Sequence, residues 1–115
     1  MDFYKKEDGS CPVEVFLDCL DEKMRAKFLR VMMLLEKNGN ELREPYSKHL
    51  GDGIFELRVK QGTNISRALY FFMHGHKIII TNGFLKKTKK TPLSEIEMAK
   101  KCRADYLKRE RKKHE

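Results

Sequence analysis

Two arginines in neighbouring alternating segments carry the clearest chemistry in this chain. IFELRVK (54–60) sets Phe55, Leu57 and Val59 on one side and Glu56, Arg58 and Lys60 on the other. ISRALYFFM (65–73) follows after QGTN (61–64). A symmetric four-residue loop places Lys60 opposite Ile65, Arg58 opposite Arg67 and Glu56 opposite Leu69. Directly opposed residues have Cβ atoms about 4.5–5.5 Å apart, so the two cations repel. Two arrangements relieve this: an acid such as Glu56 between the guanidinium groups, or an anion that arrives during function. The planar fork of arginine suits phosphate.

The next segment extends the cluster. A turn at Gly75-His76 brings KIIITNGFL (77–85) beside the second strand and sets Arg67 opposite Phe84. Lys86, Lys87, Lys89 and Lys90 come directly after. Arg58, Arg67, Lys86 and Lys87 then converge at one end of a sheet, with Phe84 on the floor and Lys60, Lys89 and Lys90 around it. Phosphate contacts beside an aromatic ring suit single-stranded RNA. The bland alternative for KKTKK is a solvated loop.

RNA carries its own nucleophile, the 2′-hydroxyl. The remaining tasks are alignment, proton removal, stabilisation of the phosphorane charge and protonation of the leaving oxygen. Arg58 and Arg67 fit the charge-stabilising role. Lys86 or Lys87 fits the acid, with a pKa depressed by neighbouring cations. Glu56 is either the base or an ion-pair partner of Arg58 or Lys60. This scheme needs no metal and no cofactor.

Composition bounds the rest. The 115 residues allow one domain, 1–115. The chain carries 25 Lys plus Arg against 17 Asp plus Glu, a net charge of +8. Residues 84–92 hold +4 of this and residues 100–115 hold +5, so the remainder is nearly neutral. Such zones suit a polyanion, an acidic partner or a solvated tail. No run of 18 apolar residues exists, and the N-terminus lacks an apolar signal core. Membrane insertion and secretion are therefore not expected, which leaves the cytoplasm. Cys11, Cys19 and Cys102 show neither disulfide nor zinc spacing and read as reduced thiols. His74 and His76 offer at most a shallow two-ligand site. His49 reads as a surface residue, and the six Met read as core.

The positioning elements follow from periodicity. Residues 2–6 read as a short strand. Pro12 opens a helix whose inner face is Val13, Phe16, Leu17 and Leu20. Asp21 caps a second helix with Met24, Phe28, Val31, Met32 and Leu35 inward, and Gly39 ends it. A three-stranded antiparallel meander follows. Thr91 reads as the cap of a last helix over 93–110, with Leu93, Ile96, Ala99, Cys102 and Tyr106 inward. The order is β-α-α-β-β-β-α, an α+β fold.

Nearly the whole chain, from FYKKEDGSCPVEVFLDCL to KCRADYL, resembles the phage-derived HigB-like branch of the RelE/ParE toxin superfamily. The most specific portion is Phe84 through Ala99, FLKKTKKTPLSEIEMA, joined to GIFELRV and SRALYFF. The resemblance implies a RelE-like fold with two N-terminal helices, a small antiparallel sheet and a C-terminal helix. It implies a type II toxin that is a ribosome-dependent endoribonuclease, an mRNA interferase acting on the ribosome and its mRNA. It also implies an antitoxin partner of helix-turn-helix type, with operator DNA bound only through the complex. The E-L-R arginine of the family matches Arg58, the arginine before A-L-Y matches Arg67, and its basic pair after G-F matches Lys86 and Lys87. RelE itself has a C-terminal tyrosine near the cleaved phosphate, whereas Pro92 and Leu93 stand in that region here. The competing readings are a non-nucleolytic ParE-like toxin, which has no need of converged phosphate-gripping cations, and a generic nucleic-acid-binding module.

Overall fold

The computed structural model describes residues 1–85 and 90–113. Among these, strand β1 (Asp2–Phe3) precedes helices α1 (Pro12–Asp18) and α2 (Glu22–Asn38) and a 3₁₀ turn (Gly39–Glu41). Strands β2 (Ser47–Gly51), β3 (Ile54–Gln61), β4 (Asn64–Met73) and β5 (Lys77–Leu85) follow, then helix α3 (Leu93–Lys113). The sheet order is β1-β5-β4-β3-β2. The α+β class is as expected, but the described sheet is mixed rather than antiparallel and has five strands rather than four. β1 runs parallel to β5, pairing Asp2 with Ile79 and Phe3 with Ile80. β2 escaped the sequence reading because SKHLG has no apolar alternation. Its strand geometry comes from pairing along the edge of β3.

The helical pair forms as its caps dictate. Asp21 Oδ1 accepts the Met24 N–H at 2.8 Å. Met24, Phe28, Val31, Met32 and Leu35 are the buried residues of α2. Gly39 ends it at φ +55°, where a residue without Cβ is least strained.

Alternation then sends the apolar strand residues to two cores, one on each face of the sheet. Leu57, Val59, Ala68, Tyr70, Ile78 and Ile80 pack under α1 and α2. Ile54, Leu69, Phe71, Met73 and Ile79 pack under Ala99 and Cys102 of α3. Leu93, expected inward, is 77% exposed, because α3 docks only from its second turn onward. Of the methionines, Met24, Met32 and Met73 are core, whereas Met33 and Met98 are exposed. His49 lies in β2, exposed, with its ring stacked on Phe55 at 4.6 Å.

Part of the C-terminal basic zone is structural. Tyr4 Oη donates to Asp105 at 2.6 Å, and Arg109 sits 5.2 Å above the Tyr4 ring. Arg109 also reaches Asp105 and the Lys5 carbonyl. Burial and the Asp105 carboxylate push the Tyr4 phenol up to about 12. Arg103 pairs with Asp52 at 3.2 Å.

A bulge sets the register that matters. Next to the His74-Gly75-His76 turn, Met73 faces Lys77 and Tyr70 faces Ile80, one residue off the expected frame. Between Leu69 and Tyr70 the register shifts, with Thr81 as the extra residue, and Leu69 then faces Asn82 and Arg67 faces Phe84 as expected. Past the bulge, Gly83 turns toward α1 and lies against the Phe16 ring, where a Cβ would collide. Gly83→Ala should lower stability by about 1–3 kcal/mol. A thermal melt reads this, and Phe16→Leu in the same chain should restore part of the loss.

Candidate functional site

Two rows cross the α3 face of the sheet. The first is Glu56, Leu69 and Asn82; the second, one step toward the open end, is Arg58, Arg67 and Phe84. The start of α3 is tied to the first row at both ends. Thr91 Oγ1 donates to Glu56 Oε2, and Asn82 Nδ2 donates to Glu95 Oε2 at 2.9 Å. The helix therefore covers the first row and begins beside the second. Thr91, expected to cap α3, turns its hydroxyl to Glu56 instead, and the helix begins at Leu93.

Arg58 and Arg67 lie directly opposite each other and reach the same carboxylate oxygen. Arg58 Nε donates to Glu56 Oε1 at 2.9 Å, and Arg67 Nη1 donates to that same atom. The repulsion expected between the arginines is thus relieved by the acid between them. Glu56 has no exposed side-chain surface and Arg67 has 6%, while Arg58 keeps 26%. Burial on its own would raise the Glu56 carboxyl. Hydrogen bonds from Thr91 and Arg58 and the charge of Arg67 outweigh it and hold the group below the usual carboxylate range. Burial, with Arg58 beside it, lowers the Arg67 guanidinium, against the pull of Glu56.

A general base needs an oxygen available to the proton it takes. Both Glu56 oxygens already accept donors, so the geometry that suits Glu56 is that of a brace. Two guanidinium groups against one carboxylate leave the cluster cationic. Among the described residues, Arg67 Nε is buried without a hydrogen-bond partner.

The arginines open onto a cleft of about 410 Å³ whose rim also carries Lys27 and Lys60. Phe84 follows Arg67 in the row and is partly buried against the α3 core, at the side of the cluster rather than on the cleft floor. Lys86, Lys87 and Lys89 lie outside the described residues. Lys90 is exposed, one residue before Thr91. Asn82 and Thr91 are the residues here whose contacts were missed. An Asn inside the run IIITNGF was the one visible signal. A larger groove, of about 680 Å³, lies at the opposite end of β5, between β1 and the end of α3. Of its cations, Lys77, Arg109 and Lys113 pair with Asp2, Asp105 and Glu110.

The Glu56 brace has a pH signature. A carboxyl held below its unfolded value of about 4.3 contributes stability that is complete above that pH and is lost as pH falls through the folded value. Glu56→Gln should flatten this acid limb in urea titrations between about pH 3 and 7. At neutral pH it should cost about 3–5 kcal/mol, because Arg67 is left without its counter-charge.

The model of the phage-derived Gp49-like protein family (DUF891) matches residues 15–104, a span holding Glu56, Arg58, Arg67 and Thr91. Comparison with the curated proteins gives no match. Among the described residues no helix is long and apolar enough to cross a membrane. With its α+β fold of three helices on a mixed sheet, the chain belongs to the phage-derived Gp49-like family, a RelE/HigB-like toxin family.

Proposed function

We propose that residues 1–115 form one toxin domain of a type II toxin–antitoxin system, of the HigB-like branch, that cuts mRNA on the ribosome in the cytoplasm. The observation that carries this reading is the shared grip of Arg58 and Arg67 on one carboxylate oxygen at an open cleft. Two forked donors already converge on an anionic oxygen, so the pair is preorganised for a phosphate oxygen.

In this mechanism the arginines hold the scissile phosphate and take up the charge of the phosphorane. The 2′-hydroxyl oxygen attacks phosphorus, its proton leaves to a base, and the 5′-oxygen departs with a proton from Lys86 or Lys87. The products are a 2′,3′-cyclic phosphate and a 5′-hydroxyl. Glu56 acts by bracing the arginines. Lys60, Lys89 and Lys90 contribute charge along the RNA, and Phe84 steadies Arg67 from the neighbouring strand. An antitoxin of helix-turn-helix type neutralises the protein, and operator DNA is bound only by the complex.

One feature favours a non-nucleolytic ParE-like toxin: Glu56 already occupies the arginines. The excess positive charge and the Lys27 and Lys60 rim weigh against it, since a purely structural ion pair needs neither.

Primer extension on mRNA in a translating extract tests the proposal. Wild-type protein should yield cuts only on ribosome-bound message. Arg58→Ala, at a partly exposed position, should fold and cleave roughly 10²–10³-fold more slowly. Growth arrest with intact mRNA would overturn the nuclease reading.

A further inference from the structure

We propose that the cleft beside the arginine pair is a nucleobase subsite, in which the base next to the gripped phosphate stacks on Tyr46. The inference rests on the RNA-cleaving reading and adds to it a substrate-binding residue.

The cleft lies beside the start of β2. The first residue of that strand, Ser47, pairs with Leu57, and the residue before it is held to β3 by the backbone bond from Arg58 N to Tyr46 O at 2.8 Å. That bond fixes Tyr46 next to Arg58. The Tyr46 side chain is 40% exposed and lines the cleft with Pro45, Val59 and Ile65. A lone exposed tyrosine needs no explanation. This one shares its cleft with the phosphate-gripping set.

The chemistry matches a nucleotide more closely than a bare phosphate. A base has two apolar faces, which suit Tyr46, Pro45 and Ile65, and it is tethered to a phosphate, which suits the arginines. Base–aromatic stacking tolerates any sequence because every base has a π-face. Arg67 adds a polar element. Its side chain is more than nine-tenths buried, it lines the same cleft, and its Nε donor has no acceptor among the described residues. A buried donor left unanswered is unfavourable, and an acceptor on the bound nucleotide would answer it.

Fluorescence anisotropy with a short single-stranded RNA tests this. The RNA is made uncleavable by 2′-O-methyl groups and is compared with versions abasic at each position in turn. Tyr46→Ala should weaken binding about 5- to 100-fold, the range of one lost stacking contact. Tyr46→Phe should stay within about twofold, and one abasic position should erase the difference between wild type and Tyr46→Ala. Should Tyr46→Ala unfold, the abasic series on wild type decides: affinity must fall at one position. If Tyr46→Ala binds like wild type, or no abasic position matters, while Arg58→Ala still weakens binding, the subsite is overturned and the RNA reading survives. Indifference of binding to Arg58→Ala, or no binding by wild type, would overturn the subsite, while primer extension on the ribosome decides the nuclease reading by itself.

Discussion

The arrangement depends on one buried carboxylate. Glu56 has no exposed side-chain surface, and its two oxygens take donors from Arg58, Arg67 and Thr91. Two opposed arginines on adjacent strands are unfavourable by themselves. A lone buried carboxylate is worse. Each is tolerable only with the other, so the positions are interdependent. The Thr91 bond carries the dependence to the start of α3, and through it the second core is placed over the sheet.

The same carboxylate sets the electrostatic character of the cleft. It occupies the acceptor position that a phosphate oxygen would seek, and it does so with one N–H of the five that each guanidinium group can offer. A ligand phosphate therefore meets arginines already ordered, which lowers the entropic cost of binding. It also meets a resident anion, which disfavours any phosphate that approaches without further contacts. Affinity in such a site would come from what is bound around the phosphate, and in the proposed subsite the cleft at Tyr46 would supply that surface.

Much of this was legible from residue order. The pairing of Arg58 with Arg67, and of Arg67 with Phe84, followed from loop symmetry, and both hold. The second held for a reason the sequence hid. The turn is one residue off the assumed frame, and the bulge at Thr81 restores it before the site is reached. The buried stripe of α2 was plain because its period is regular. β2 was not, since it owes its geometry to the neighbouring strand and not to its own side chains. The role of Thr91 was hidden by a competing one: Thr before Pro looks like a cap, and nothing local shows that its hydroxyl points to residue 56. Tyr46 sits in a turn with no periodic signal at all.

The meeting of the two chain ends has a kinetic consequence. β1 pairs with β5 nearly eighty positions later, and Tyr4 bonds Asp105 across 101 positions. The β3–β4–β5 hairpins close short loops, whereas β1 closes a long one, and long-range pairing forms slowly. During synthesis β5 and α3 emerge last, so the N-terminal strand waits unpaired until most of the chain exists. A nascent fragment that stops before β5 can hold the α1–α2 pair and strands β2 to β4 while that sheet edge stays open. Completion of that edge is then a late step, taken only once β5 has been made.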